Sequence, residues 1–381
     1  MKNQIYIHIP FCAAKCNYCA FNSRVAFTAE REEYADMLIA EITNFEQKKI
    51  SVATIYFGGG TPTILSLNQL KKIFDAVQKK FHVEGDAEIT IETNPGTVDE
   101  NFLRGLREIG FNRLSIGVQS FDDATLKILG RIHDSKAAIE TVTAAKKFFD
   151  NISVDLMYAL PNQTLDDVKA DVEQAARLDV QHISIYGLEV EPNTKFFELA
   201  AQKKLELPDE NLCGDMYEYI TRTLPTLGYN RYEVSNFAKA GFESRHNTGY
   251  WTSAKYFGFG AGAHSYDGNF RKSNVADFNE YIKKIRAGSD VSQIEEVVTE
   301  RAAMEEFCFL GLRMTRGIDA KNFFDRFGKN FFEVYGKVIE KNLRLGLLEV
   351  DGDRIFLTER GMELSNVVSA EFILNSSDLS T

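Results

Sequence analysis

At 381 residues the chain has room for one large domain and one or two smaller ones, enough to bury roughly three-quarters of its unfolded surface. Apolar residues make up 44% and charged residues 26%, and five unevenly spaced cysteines argue against a secreted, disulfide-stapled scaffold and for a reducing compartment. A formal charge of −11 argues against unspecific nucleic-acid binding.

The start, MKNQIYIHIP, lacks the apolar h-region and cleavage site of a leader, and no apolar run reaches the length of a membrane span. The expectation is a cytoplasmic protein with no transmembrane segment, compatible with peripheral association at a membrane. Short β-branched runs then alternate with amphipathic ones. Strands are expected at 4–9, 53–57, 88–92, 113–118, 153–158 and 182–187, and helices at 29–45, 67–81, 98–109, 135–148 and 165–178. Thr28 and Thr164 read as helix caps. Strand–helix alternation of this kind predicts βαβ units on a parallel sheet. Six units in 1–207 suit a partial (β/α)6 TIM-like barrel rather than a complete one, which needs about 250 residues; an open doubly wound sheet is the alternative.

After Leu207-Pro208 the pattern changes. One more helix is expected at 209–227, and the aromatic, glycine-rich stretch 229–268 reads as strands and tight loops; together 208–298 form a connecting region. From 299 to 381 the chain turns mainly helical, with helices at 300–312, 320–327 and 331–345. LLEVDGDRIFLTERG then places two strands around an Asp-Gly turn before a further helix, a winged-helix-like module. It has no dense basic recognition helix, so packing or docking is the expected role and no nucleic-acid partner is expected. The tail NSSDLST is low in complexity.

The chemistry concentrates in FCAAKCNYCAF, where Cys12, Cys16 and Cys19 follow the first strand at C-x3-C-x2-C spacing. Structural zinc wants four ligands. The remaining Cys213 and Cys308 lie in helical contexts and read as buried small hydrophobes, and His8 reads as a sheet residue. A conventional [4Fe–4S] cluster takes one thiolate per iron, so three cysteines leave one iron open. Further polar residues fall at or just beyond strand ends, where barrel folds carry their chemistry: YFGGGTPT supplies Gly59, Gly60 and Thr61, and Glu92, Gln119, Asp155 and Arg131 complete the set.

The cysteine spacing, with Tyr18 before the third cysteine, resembles the radical S-adenosylmethionine (SAM) superfamily. That resemblance implies a cluster on the three cysteines as metal ligands, with SAM chelating the fourth iron and GGGTPT meeting its methionine amino group. YIHIPFC, GGGTPT, IETNP, LSIGVQSF, DLMYALPNQT and ISIYGLEVEPNT together resemble the oxygen-independent coproporphyrinogen III oxidase family over nearly the whole chain. It implies cluster and SAM contacts at Tyr6, Cys12, Cys16, Cys19, Gly59, Gly60, Thr61, Glu92, Gln119, Arg131 and Asp155.

Two branches make up that family. Dehydrogenases, which oxidatively decarboxylate coproporphyrinogen, carry an extra cysteine two residues after the third and about fifty residues before the cluster; here Phe21 holds the extra position. The HemW branch, regarded as heme chaperones, is marked by HNxxYW, which HNTGYW at 246–251 matches; its usual Asp after the third cysteine is Ala20 here. The resemblance therefore implies heme as a third cofactor, His246 as its axial ligand with His264 and His133 as rivals, and transfer to an acceptor protein, with flavodoxin or ferredoxin as an electron donor. The alternative is an anaerobic coproporphyrinogen oxidase or another radical SAM oxidoreductase.

Overall fold

The computed structural model describes residues 2–46 and 50–374; the NSSDLST tail lies outside them. Six parallel strands form first: β1 (Asn3–Ile9), β2 (Ser51–Gly59), β3 (His82–Thr93), β4 (Arg113–Gln119), β5 (Ile152–Tyr158) and β6 (His182–Gly187). They lie side by side in chain order with no reversal. A doubly wound sheet would reverse its order at a switch point; right-handed crossovers without reversal put every helix on one face. The result is a partial (β/α)6 barrel with an open sheet.

Alternation along these strands decides what faces where. Ile5, Ile7 and Ile9, Ile55 and Phe57, Ile89 and Ile91, Leu114 and Ile116, and Val154 and Leu156 are buried in the main core, beside helices such as Thr28–Asn44 and Leu67–Lys80. Most intervening positions are polar, in every strand: Gln4, Tyr6 and His8; Thr54 and Tyr56; Glu88, Thr90 and Glu92; Arg113 and Ser115; Ser153 and Asp155; His182 and Ser184. Register aligns them across the sheet, with Tyr6 beside Tyr56, Thr90 beside Arg113, Glu92 beside Ser115 and Ser153 beside His182. The lumen of the barrel is therefore a polar surface.

The stretch 229–297 extends this sheet at both edges. Strands β7 (Asn230–Arg231) and β8 (Asn236–Ala238) add antiparallel to β6; β9 (Tyr256–Phe259) pairs parallel with β1. Beyond β9 follow β10 (His264–Tyr266), β11 (Phe270–Asn274) and β12 (Ser292–Val297). HNTGYW departs from the strand-and-loop expectation: Arg245–Trp251 is a helix. Gly249 obscures it in the sequence, and a Cβ there would come within 2.1 Å of the Gln4 amide. The C-terminal residues build a second core from Glu300–Leu312, Ala320–Phe327 and Phe331–Arg344. Against it pack the hairpin β14 (Leu348–Asp351) and β15 (Arg354–Leu357), with an unanticipated short strand β13 (Ile318–Asp319) beside β15. Cys308 is buried there as expected, whereas Cys213 is only partly covered. No helix among the described residues is long and apolar enough to cross a membrane.

The caps divide. The Thr164 side chain accepts from the Asp167 N–H and the Asp167 carboxylate accepts from the Thr164 N–H, a full capping box. Thr28 lies inside its helix instead: Phe27 holds the cap position and its N–H donates to Glu30 at 2.8 Å. Thr164→Ala is expected to cost about 1 kcal/mol of stability, while Thr28→Ala, at an exposed first-turn site, leaves the urea midpoint almost unchanged. Equal losses from both would contradict the cap assignment.

Candidate functional site

The cysteine loop leaves β1 at Pro10 and is clasped where it returns. Cys12 N–H donates to the Arg24 carbonyl at 3.0 Å and Arg24 N–H to the Pro10 carbonyl at 2.9 Å. Its middle is pinned to the far side of the barrel: Asn17 donates from its backbone to Leu129 O and from its side chain to Ile128 O, and its carbonyl accepts from Phe196 N–H. Lys15 closes the rest by donating to Phe21 O and the Ser23 hydroxyl.

The end of β2 then comes against this loop. Gly60 N–H donates to Ile9 O at 2.9 Å and Thr61 N–H to Phe11 O at 2.7 Å. A Cβ on Gly60 would lie 2.5 Å from Phe11 O, and one on Gly59, at φ +113°, would lie 2.6 Å from the His8 ring. These glycines therefore serve the approach of β2 to the cysteine loop. Thr61 Oγ1 reaches Cys12 Sγ at 3.7 Å and accepts from Asn94 Nδ2 at 2.7 Å. Asn94 Oδ1 in turn accepts from Arg131, whose guanidinium also donates to Gly117 O at 2.6 Å and to Cys16 Sγ at 3.4 Å.

All three cysteines are unpaired and partly exposed, and they line a cavity of about 440 Å³ with Gly59, Gly60, Glu92, Gln119, Arg131 and Asp155. Thr61 lines the adjoining hollow, and Tyr6 stands behind Tyr56, its ring stacked on it at 6.2 Å. Among the described residues no three His, Cys, Asp or Glu side chains converge on a single ion. Three thiols lining one cavity are a soft sulfur donor set of the kind that an iron–sulfur cluster takes, one thiolate per iron. Burial pushes the Cys12 thiol up, the Thr61 and Ser23 contacts offset this, and the neighbouring Cys19 and Cys16 sulfurs push it further.

The floor of the cavity holds two half-buried acids. Glu92 accepts from Tyr56 OH at 2.7 Å, and burial, with the nearby Asp155 charge, raises it to about 7. Asp155 accepts from Ser115 at 2.9 Å and Ser153 at 3.2 Å, and burial raises it too. Gln119 sits at φ 72°, a left-handed conformation that usually takes a glycine, and strain of this kind clusters at ligand sites.

Sequence reasoning overlooked Tyr56, Asn94 and Arg113. Arg113 is 2% exposed and its Nε has no partner, yet it lines the cavity; a cation opening the otherwise apolar run RLSIGV was its signal. Asn94 stood in IETNP as the link between Thr61 and Arg131.

His246 does not meet the expectation of an axial ligand. It is 1% exposed and lines neither this cavity nor its neighbour. Its Nδ1 bonds Thr54 Oγ1 at 2.7 Å and its Nε2 bonds Tyr250 OH at 2.9 Å, leaving no free nitrogen. Burial, with the Arg113 charge, lowers its pKa to about 3, so the ring stays neutral. Stacked on Tyr56 at 5.0 Å, it backs the tyrosine that orients Glu92. The Glu88 carboxylate accepts from the N–H groups of Arg245 and His246, both at 3.0 Å, and anchors this helix to the lumen. His8 has both nitrogens engaged, by Tyr6 OH and Asn22 O. His133 binds Val118 O and His264 lies exposed beside Glu295; neither lines the cavity.

Residues 6–175 match the Radical SAM superfamily and residues 298–364 the HemN C-terminal domain. The chain is 40% identical to the heme chaperone HemW of Lactococcus lactis, over 98% of each chain. It is also 40% identical to that of Bacillus subtilis, over 97% of this chain and 98% of the relative. The HemW of Escherichia coli is 40% identical over 68% of this chain and 69% of the relative. In fold it resembles coproporphyrinogen III oxidase (HemN) from Escherichia coli, with a TM-score of 0.86 at 24% identity, over 98% of this chain and 90% of that one.

The raised Glu92 carries a sign. Its neutral form suits the folded state, so stability falls as pH rises from its unfolded value of 4.5 through about 7. Glu92→Gln, which keeps an acceptor for Tyr56, is expected to melt close to wild type at pH 5 and higher by several degrees at pH 8. A difference that does not change with pH would contradict the assignment.

Proposed function

The chain belongs to the HemW family of the radical SAM superfamily, and from that premise we propose that it carries heme and delivers it to an acceptor protein. The observation that carries this reading is 40% identity to heme chaperones from end to end. Phe21 supports it: the position that holds a further sulfur in dehydrogenases is here a phenyl ring, 71% exposed at the mouth of the cavity. We assign heme handling to 208–381 and the cluster to 1–207.

In this reading Cys12, Cys16 and Cys19 hold a [4Fe–4S] cluster and leave one iron for exchangeable SAM. When bound, that pair supplies an iron–sulfur redox centre with an open coordination site. The chain's own residues do the rest. Thr61 and Arg131 donate to the sulfurs of Cys12 and Cys16, stabilising them as thiolates. Glu92, poised near neutrality, offers a carboxylate to an ammonium group, while Asp155 and Gln119 provide acceptors for hydroxyls. The loop clasp and the His246–Tyr56 support hold these groups still. A resident redox pair beside a heme carrier suits gating, in which occupation of the cavity sets when heme leaves.

Anaerobic reconstitution followed by a heme titration, and in parallel by incubation with SAM, dithionite and coproporphyrinogen III, tests the reading. The expected outcome is a protein that retains stoichiometric heme and forms no protoporphyrinogen. Turnover of coproporphyrinogen would replace the carrier with an oxidase. Replacing Cys16 by Ala is expected to abolish the charge-transfer absorbance of the cluster.

A further inference from the structure

The helix Arg245–Trp251 touches two cavities. Asn247, near its start, lines the cysteine cavity, and Trp251, its last residue, lines a separate cleft against the C-terminal module. The two residues are one helical turn apart, about 6 Å along the axis.

This cleft holds about 470 Å³. Trp251, Phe307, Met314 and Ile318 give it apolar walls, and Arg316, Arg326 and Arg354 stand among its polar residues. Arg354 faces Asp319 at 3.7 Å. Arg316 is exposed. Arg326 spends one nitrogen on Tyr266 OH at 3.3 Å; its Nη1 is buried without a partner. The Trp251 indole N–H is likewise buried and unpartnered. A buried donor without an acceptor is unfavourable, so two such donors on residues that line one cleft call for a ligand that brings acceptors. Asp319 and Asp325 also line the cleft, against three arginines, so apolar walls with a net excess of guanidinium charge suit a largely apolar molecule with carboxylates attached. Met314 adds the one sulfur in the lining, a donor type that heme iron accepts.

We propose that this cleft, between the Trp251 end of the helix and the C-terminal module, is the seat of the heme, with Arg316 and Arg326 receiving its propionates. The proposal rests on the carrier reading and moves the heme away from His246. It also gives that reading a route for gating, because one short helix touches both the cysteine cavity and the heme seat.

Titrating hemin into the full-length, cluster-reconstituted protein, with Soret absorbance as the readout, tests this. Arg316→Ala/Arg326→Ala is expected to weaken hemin binding tenfold or more, with a thermal midpoint near wild type. Hemin dimethyl ester, whose propionates are uncharged, is expected to bind wild type no better than hemin binds the double variant. Should the double variant fold poorly, Arg316→Ala alone, at an exposed site, is expected to weaken hemin at least threefold. Wild-type protein that retains no hemin would overturn the carrier reading itself. Retention by wild type and variants with equal affinity would overturn the cleft and leave the carrier reading standing.

Discussion

A barrel whose six strands all turn polar side chains inward must satisfy those groups away from bulk water, because each unpaired one costs free energy. The rest of the molecule answers that demand. Tyr56 meets Glu92, Ser115 and Ser153 meet Asp155, and His182 is held between Ser153 and Tyr232. The helix Arg245–Trp251 covers one end of the lumen, with Glu88 bonding its first N–H groups and Gln4 reaching its His246 carbonyl at 2.8 Å. At the opposite end the cysteine loop is tied to β2 through Gly60 and Thr61. The groups between these two closures face the cavity.

That division explains why similar residues play different parts. Arg131 reaches up to a cysteine sulfur, whereas Arg113 stays below as a counter-charge among Glu88, Tyr56 and Asp155. Glu92 and Asp155 face open space and keep titratable character. His246, one layer behind, is bonded at both nitrogens and stays neutral. Position relative to the lumen floor decides chemistry here more than residue type does.

Much of this was legible from the residues. Strand–helix alternation placed all six barrel strands, because each is a local β-branched run bounded by turns, and β6 was placed to the residue. The cysteine spacing and the glycine run pointed to the loop because short-range motifs carry their geometry with them. What escaped depended on distant partners. Nothing local in 229–297 states that β9 pairs with β1 or β8 with β6. The helix in HNTGYW is stabilised by Glu88 and Gln4, over 150 residues away. Its histidine looked like a ligand because sequence displays a donor atom and hides the hydrogen bonds that occupy it.

In the proposed reading the cavity beside Cys12, Cys16 and Cys19 would join a three-thiolate cluster to a directly bound SAM. Electron paramagnetic resonance of the reduced, anaerobically reconstituted protein tests it most directly. With SAM bound to the cluster, the account predicts a clear change in the g-values, and Arg131→Ala weakens that response. A spectrum unmoved by saturating SAM would contradict the account.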